Sequence, residues 1–355
     1  MSLPFLQPYF GLSNSLQTAQ ASAGGGVVGG WVELGRTTLG SAGDAITVSS
    51  LADKRYYMVL GDLRASGTID PHMRLNSDTG NNYSYRYSDN GGADGTGTSS
   101  SIMLHGAGNS TTPQFAVSYL TNYSTKEKLL LNFAIVQNTA GAGNAPTRRE
   151  SVSKHAQTSN PISVINSHNS GTGDYASGSE VVVLGWDPAD THTSNFWTEL
   201  ASTTISTTGD TFNTGTFTAK KYLWIQYYVT GTAPIRIFNR FGNGTVDTGN
   251  NYSTRRNING TSEDTITTAS GIAWIGANAA KSQFANLFVI NNSANEKLVI
   301  GHLIDWATSG AGTAPNRKEN VGKWTNTSNQ ANIFGIHNDD AGDITSGYIK
   351  VWGSD

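Results

Sequence analysis

A long tandem repeat is the feature that most limits the folds open to this chain. When the sequence is shifted by 169 residues, the motif DTGNNYS at residues 78–84 falls on the same seven letters at residues 247–253. Between residues 78 and 183 this alignment needs no gap, and 43 of the 106 paired positions are identical. Solenoid repeats have periods of about 20–50 residues, so a repeat this long is a whole domain. The sequence therefore predicts two copies of one domain.

The ends of the repeat predict the domain boundaries. Upstream of residue 78 the offset is 166, and residues 31–34 (WVEL) fall on residues 197–200 (WTEL). Between the copies, residues 187–195 contain a proline, polar side chains and no apolar periodicity, which is typical of a linker. Since this linker is short, we expect the two domains to touch. The predicted parts are an arm and tether at 1–26, a first domain at 27–186, the linker at 187–195 and a second domain at 196–355.

Short apolar segments separated by Gly, Asn, Asp and Ser clusters predict strands and not helices. At residues 85–87 an arginine lies between two tyrosines, which is the alternation expected of a strand with one buried and one solvent-exposed face. Residues 129–131 (LLL) and 181–184 (VVVL) are instead expected to form central strands covered on both faces. About ten antiparallel strands in about 160 residues favour two packed sheets. The predicted fold class is all-β, with two tandem antiparallel β-sandwich domains of jelly-roll-like type behind an extended N-terminal arm.

The composition excludes several classes of function. The net charge is −3 and charged residues make up 14% of the chain, so no basic surface is expected to bind nucleic acid. The chain has no cysteine, which excludes disulfides and thiolate metal sites. No apolar run reaches the roughly 18 residues of a membrane span. The sequence contains no nucleophile elbow, no HExxH motif and no phosphate loop, so it predicts no enzyme, no cofactor and no bound metal.

The first 32 residues carry no charged side chain. Pro4 and Pro8 interrupt the apolar residues and no Lys or Arg precedes them, so the segment is not expected to be a signal peptide. Residues 21–26 (ASAGGG) have the composition of a flexible tether. An apolar segment left in water is an association hazard, so we predict an arm that docks on a partner; the alternatives are an arm folded back on its own domain and a disordered arm. The predicted docking residues are Leu3, Phe5, Leu6, Tyr9, Phe10, Leu12 and Leu16.

Two short motifs occur in both copies and are interpreted as turns. In residues 78–84 and 247–253, Asp, Gly and Asn favour a hairpin turn, because they adopt left-handed backbone conformations and close Asx-turns. The alternative is an oxygen-rich loop that binds calcium. The second motif is HNSGTGD, which begins at His168 and returns as HNDDAGD from His337. We interpret it as a turn between the last strands, with a duplicated binding site as the alternative.

Arginine and glutamate alternate at matched positions of the two copies. Arg148 precedes Glu150, and Arg317 precedes Glu319, so each pair points to one side of its strand. We interpret these residues as ion pairs across strands. The alternative is that the arginines recognise a carboxylate-bearing partner or a glycan.

Exposed aromatic rings are a further candidate for a binding surface. The chain has eight tryptophans, and only Trp31 and Trp197 fall at matched positions, where core packing explains them. A sugar-stacking surface gained after the duplication would use tryptophans that the first copy lacks. The predicted glycan-binding residues are therefore Trp274, Trp306 and Trp324.

Three of these elements together resemble a β-sandwich module that is common among virion proteins of tailed bacteriophages. They are the opening WxxL strand at residues 31–34, the DTGxNYS turn at 78–84 and the closing GSxVVVxG strand at 178–185. The second copy carries the same turn and closes with residues 347–353 (GYIKVWG), where Tyr348 replaces the serine. The resemblance covers nearly all of the chain after the arm.

The resemblance implies a structural protein of the virion. The expected function is that of an accessory or decoration protein on the capsid exterior, assembled in the host cytoplasm and docked through its N-terminal arm. Its expected partners are other virion proteins and further copies of itself in a homo-oligomer. Two alternatives stay open: a glycan-binding adhesin in a tail or head fibre that attaches to the host surface, and a double-jelly-roll major capsid protein.

Overall fold

The computed structural model of the chain describes residues 27–28, 30–103, 110–188, 190–192, 194–232, 234–274 and 281–355. The named elements in these ranges are β-strands joined in antiparallel ladders, which confirms the all-β prediction. Within the same ranges there is no helix long and apolar enough to cross a membrane. The predicted docking arm, residues 1–26, lies outside the described residues, so its docking stays a prediction.

The strands of the first domain begin at residue 27 and end at residue 186. They are β1 (Val27–Val28), β2 (Val32–Thr38), β3 (Ala45–Val48), β4 (Tyr56–Leu63), β5 (Ala65–Ser66), β6 (Pro71–Leu75), β7 (Tyr83–Asp89), β8 (Gly95–Ser99), β9 (Ile102–Met103), β10 (Gln114–Thr121), β11 (Lys128–Val136), β12 (Thr147–His155), β13 (Ile165–Asn169), β14 (Asp174–Tyr175) and β15 (Glu180–Trp186).

The linker contributes one short strand, which pairs with β1, and the remaining strands belong to the second domain. They are β16 (Thr191–His192) in the linker and then β17 (Thr198–Ile205), β18 (Thr211–Thr216), β19 (Tyr222–Gly231), β20 (Ile237–Asn243), β21 (Thr245–Val246), β22 (Tyr252–Ile258), β23 (Ser262–Ala269), β24 (Ile272–Ala273), β25 (Ser282–Ile290), β26 (Lys297–Trp306), β27 (Asn316–Trp324), β28 (Ile333–Asn338) and β29 (Ile344–Ser354).

Each domain contains one eight-stranded sheet and one small sheet, and the first domain also has the two-stranded sheet β5-β14. In the first domain the large sheet has the order β2-β15-β4-β10-β11-β12-β7-β8, and the small sheet has the order β3-β13-β6-β9. In the second domain the large sheet has the order β17-β29-β19-β25-β26-β27-β22-β23, and the small sheet contains β18-β28-β20 with β24 paired to β20. Replacing each strand by its partner in the repeat converts one order into the other. The duplication in the sequence is therefore a duplication of topology.

An apolar core lies between the large and the small sheet of each domain. Alternation along each strand sends one set of side chains into this core and the other set to the opposite face of the large sheet. In β15, Val181 and Val183 point into the core of the first domain, whereas Val182 and Leu184 point to the opposite face. All four side chains are buried, which confirms that residues 181–184 form a strand covered on both faces.

The same prediction is wrong for residues 129–131. Leu130 is buried in the core of the first domain, but Leu129 and Leu131, on the other face of β11, are 55% and 42% exposed. The reason is that the second domain covers only part of this face.

The outer faces of the two large sheets pack against each other and form a third apolar core, the interdomain core. Met58 and Leu60 of the first domain and Trp224 and Phe288 of the second are among its members, and Trp197, two residues after the linker, packs on Trp224 and Phe288 in the same core. The layers therefore follow one another as small sheet, large sheet, large sheet and small sheet. The two domains touch, as the short linker predicts, and they form one block.

Candidate functional site at the interdomain interface

One row of side chains on the large sheet of the first domain faces the second domain and is buried against it. The residues are neighbours across five adjacent strands in the ladder registers of the sheet. We name them the buried row: Glu180, Asp62, Phe115, Ile135 and Arg148.

Lys221 of the second domain neutralises the acidic end of the buried row. Its ammonium group lies 3.1 Å from Asp62 and 3.0 Å from Glu180, and the hydroxyl of Tyr222 donates to Glu180 over 2.9 Å. Burial disfavours the charged carboxylate of Glu180. Hydrogen bonds from Thr38 and Lys221 and the charge of Lys221 outweigh that effect and lower its pKa below the usual value. The acidic pair is thus paired with a cation supplied by the other domain.

Arg148 holds the other end of the buried row. Its guanidinium lies 2.7 Å from Glu150 in its own domain, 2.8 Å from Glu319 and 3.1 Å from Glu263 in the second domain. Burial opposes the charge on Arg148, but these three carboxylates prevail and raise its pKa. Arg148 forms ion pairs, but not across neighbouring strands of its own sheet as predicted: Glu150 lies on the same strand, and the other two partners belong to the second domain. Arg148 therefore links the two domains at this end of the buried row, as Lys221 does at the other end.

Side chains of the second domain donate hydrogen bonds to backbone carbonyls of the loop between β11 and β12. The ammonium group of Lys323 donates to the carbonyls of Gln137 and Thr139 over 3.2 and 2.7 Å, and burial lowers its pKa. The guanidinium of Arg255 donates to the carbonyl of Pro146 over 2.7 Å, and Ser253 donates to that of Asn144 over 2.8 Å. Apolar packing, ion pairs and backbone contacts thus close the interface at this end.

The matched row on the second domain is uncovered. Tyr348, Tyr228, Phe284 and Ile304 are neighbours across four strands at the positions that Glu180, Asp62, Phe115 and Ile135 occupy in the first sheet. We name these four residues the aromatic row. Tyr348 is 43% and Ile304 45% exposed, and the rings of Tyr228 and Tyr348 stack with centroids 5.9 Å apart. The row is a largely apolar, partly exposed surface of the large sheet.

Further exposed side chains adjoin the aromatic row. Trp306 follows Ile304 on the same face of β26 and is 36% exposed. Arg317, the cross-strand neighbour of Ile304, has a side chain that is 65% exposed and contacts Glu319 over 3.0 Å. Arg317 is the repeat partner of Arg148. The same position therefore holds a buried arginine that pairs with the other domain in one copy and an exposed arginine in the other. The sequence alone does not distinguish them, because the motif around both is nearly the same.

The first domain also has an uncovered apolar area, which we name the open patch. It consists of Leu129, Leu131 and Val152, and the last two are cross-strand neighbours. These side chains lie on the same face as Phe133, whose ring packs on His302 with centroids 4.5 Å apart. Beyond this contact the outer faces of both large sheets carry exposed side chains. We call the aromatic row, Trp306 and the open patch together the open end of the interface.

Two of the three predicted glycan-binding tryptophans are core residues, and that prediction is wrong for them. Trp274 and Trp324 are each 1% exposed. The indole nitrogen of Trp274 donates to the hydroxyl of Tyr227 over 2.7 Å, and that of Trp324 donates to Asp247 over 2.8 Å. A buried ring with a satisfied N–H has no face for a sugar. Trp306 alone of the three lies at the surface, next to the aromatic row.

The DTGNNYS motif forms a hydrogen-bonded turn, but the predicted hairpin is wrong, because the turn joins β6 of the small sheet to β7 of the large sheet. Asp78 accepts from the backbone N–H of Gly80, the side-chain amide of Asn82 and the ring of His155, each over 2.8 Å. Burial opposes the charge of Asp78, but these donors prevail and lower its pKa. In the second domain Trp324 stands at the repeat position of His155 and takes its place as the donor. Both carboxylate oxygens of Asp78 thus accept hydrogen bonds within the turn, and in the described ranges no three His, Asp or Glu side chains form a metal-binding group.

Asparagine organises the second repeated motif. The Oδ1 atom of Asn169 accepts from the backbone N–H groups of Asp70 and Gly171, both over 2.8 Å, and its amide donates to the carbonyl of Gly173. In the second domain, Oδ1 of Asn338 accepts from the backbone N–H of Arg236 over 2.8 Å, and its amide donates to the carbonyl of Gly342. These contacts agree with the turn interpretation. The asparagine, and not the histidine beside it, makes the hydrogen bonds that hold the turn.

Comparisons with known proteins give no relative for this chain. No family model matches the sequence, and no curated protein matches it. Among solved structures, it is similar to domains LG4-5 of the mouse laminin alpha1 chain, with a TM-score of 0.19, 11% identity, and coverage of 87% of this chain and 82% of that one. It is also similar to human GIVD cytosolic phospholipase A2, with a TM-score of 0.12, 8% identity, and coverage of 85% and 33%. Similarities this low support no conclusion about function.

Proposed function

We propose that this chain is a structural protein of a phage virion, an accessory protein on the capsid exterior that docks through its N-terminal arm. The proposal starts from the resemblance of its repeated module to virion proteins of tailed phages. The observation that carries it is the interdomain interface with its open end. The two sandwiches form one block, and exposed apolar side chains of both large sheets lie at its open end.

A comparison of the buried row with the aromatic row supports a binding role for the exposed face. In the first domain the buried row packs on a protein surface, and the matched row of the second domain has the same sheet geometry with apolar side chains in place of the acids. Large exposed apolar patches on folded proteins mark interaction sites. A block with an apolar arm and an apolar face has the parts of an assembly protein. On a shell lattice, modest contacts repeated over many copies are strengthened by avidity.

Deletion of residues 1–26 tests the docking role of the arm. Particles assembled with the truncated chain should lose it on purification, while particles with the full chain retain it. The truncated chain should show the denaturation midpoint of the full chain, so that a folding defect is not mistaken for lost docking. Normal loading of the truncated chain contradicts the proposal. The number of copies per particle separates a decoration or major capsid protein, present in hundreds, from a fibre or tail component, present in about a dozen.

A glycan-binding adhesin is the second candidate, favoured by one observation. The stacked pair Tyr228 and Tyr348 and the ring of Trp306 lie on one exposed face, with the cationic side chains of Lys350 and Arg317 beside them. Exposed aromatic faces can stack on sugars, and flanking polar groups can orient them. A glycan array with the full chain and with Trp306→Ala decides between the candidates. Hits that disappear in the variant favour the adhesin, and an array without hits removes it.

A further inference from the structure

We propose that the second domain forms an amide bond between two of its own side chains, the amine of Lys318 and the carboxyl group of Asp305, with loss of one water molecule. The bond joins the neighbouring strands β26 and β27. The inference goes beyond the proposed function. It concerns the covalent structure of the chain, so it holds or fails whether or not the chain is part of a particle.

Lys318 and Asp305 form an ion pair that is closed off from water. Their side chains are 1% and 0% exposed and lie in contact with each other. In the ladder of β26 and β27, Lys318 lies opposite Leu303, and Asp305 follows two residues later on the same face of β26. Leu303 belongs to the apolar core of the second domain. The amine and the carboxyl group are thus held together on the face that packs into this core.

The contact differs from an ordinary salt bridge in its geometry. Although the amine nitrogen of Lys318 touches Oδ2 of Asp305, that oxygen has no hydrogen bond of proper geometry among the described residues. The other oxygen, Oδ1, accepts from the side-chain amide of Asn316 over 2.8 Å. This hydrogen bond fixes the orientation of the carboxyl group. It also leaves Oδ2 as the oxygen that can depart.

Burial makes the amine of Lys318 a nucleophile. Desolvation disfavours the ammonium form, and together with the charge of Arg256 it outweighs the attraction of Asp305, so the pKa of Lys318 lies below its usual value. A desolvated lysine of this kind is an activated nucleophile. Because the two groups are already in contact, the reaction is an intramolecular step and needs no encounter.

The reaction needs no further reagent. A proton passes from the ammonium nitrogen to Oδ2, which gives an amine and a carboxylic acid. The nitrogen lone pair attacks Cγ of Asp305, a second proton moves from nitrogen to Oδ2, and the bond between Cγ and Oδ2 breaks to release water. The product is a neutral amide with one N–H, and its oxygen, Oδ1, still accepts from Asn316. The bond therefore removes two buried charges, which are costly to keep out of water.

The matched site of the first domain lacks these groups. The residues at the three repeat positions are Val136, Thr147 and Arg149. A valine has no carboxyl group, and the guanidinium of an arginine stays protonated, so this amide cannot form there. Arg149 pairs with Asp89 in its own domain. Of the two matched sites, the one in the second domain alone combines an amine, a carboxyl group and an amide that orients it.

The intact mass of the purified full chain tests the inference. After allowance for the substitution, it should be one water molecule lower than the mass of Lys318→Arg, because a guanidinium does not form this amide. Asp305→Ala should likewise keep the water. Lys323→Arg is the matched control on the same strand and should show the loss of water, because the ammonium group of Lys323 is already bound to two backbone carbonyls. Fragmentation of a peptide that contains both residues should place the missing water at 305 and 318.

Two results overturn the proposal. One is an unsubstituted chain that has the mass of its sequence across residues 305–318, which leaves Lys318 and Asp305 as a buried ion pair. The other is a loss of water that persists in Lys318→Arg or that fragmentation places at other residues. The measurement on the unsubstituted chain needs no variant, so a substitution that prevents folding does not obscure the answer. Neither result changes the loading of the chain onto particles, which tests the proposed function separately.

Discussion

Arg148 of the first domain lies 2.8 Å from Glu319 of the second, and this ion pair is buried in the contact between the two large sheets. The repeat places Arg317 at the same position of the second domain, where no second sheet covers it and its side chain is largely exposed. The two arginines therefore form a matched pair that differs mainly in burial.

Substitution of Arg148 by methionine should destabilise the protein strongly. It leaves the buried Glu319 and the half-buried Glu150 and Glu263 without their common cation, and breaking a buried pair from one side costs about 3–5 kcal/mol. Arg317→Met, at the exposed repeat position, should change the free energy of unfolding by less than about 1 kcal/mol. Denaturant unfolding of both variants measures the difference. Equal losses of unfolding free energy in the two variants would show that the interface does not depend on the ion pairs of Arg148.

The tryptophans should differ in the same way. Trp274→Ala removes a buried ring and its hydrogen bond to Tyr227, and should cost about 3–5 kcal/mol. Trp306→Ala removes a ring at the surface and should cost less than about 1 kcal/mol. If Trp306→Ala unfolds the protein as readily as Trp274→Ala does, Trp306 is a structural residue and the open end is not an available surface.

The turn at Asp78 should be indifferent to calcium. Asp78→Ala leaves the buried ring of His155 without its acceptor, which costs about 1–3 kcal/mol. Thermal unfolding of the unsubstituted chain should show the same midpoint with added calcium and with a chelator, because the carboxylate oxygens already accept three hydrogen bonds. A midpoint that rises with calcium concentration would support the cation-loop alternative.

His168 should make stability depend on pH. Burial, together with the nearby Arg74 and His72, lowers its pKa from 6.5 to about 4. The unfolded chain therefore binds this proton at a higher pH than the folded chain does, so the contribution of His168 to stability falls as the pH is lowered from 6.5 towards 4. The difference in denaturation midpoint between the unsubstituted chain and His168→Gln should shrink or reverse over that range. A difference that is constant between pH 7 and pH 4 contradicts the lowered pKa.

The sequence predicted the strands that carry an apolar pattern. Residues 181–184 are an unbroken apolar run, and both of their faces are covered. Residues 129–131 have the same appearance, but one face is exposed. The difference lies in how the second domain is placed on the first, and no local pattern encodes that placement.

Strands made mainly of polar residues are not predicted from the sequence, because they too are set by their place in the sheet and not by a local apolar pattern. Residues 95–99 (GTGTS) form β8, and β23 at residues 262–269 is also mostly polar. Both lie at the edge of a large sheet, where hydrogen bonds to one neighbour hold a strand that has few apolar side chains. The replacement of His155 by Trp324 in the second copy explains why the glycan-binding prediction is wrong for Trp324. A tryptophan that the first copy lacks was interpreted as a surface gained later, whereas it is a second way to donate a hydrogen bond to the same turn.

The proposed function requires this two-domain block to be carried on the outside of a phage particle by its N-terminal arm. A density map of the intact particle, at a resolution that traces side chains, would show this. We expect the two sandwiches stacked through their large sheets outside the shell, with residues 1–16 buried against a neighbouring shell protein. A particle without this chain, or one in which the arm points into solvent while another surface holds the block, would contradict it.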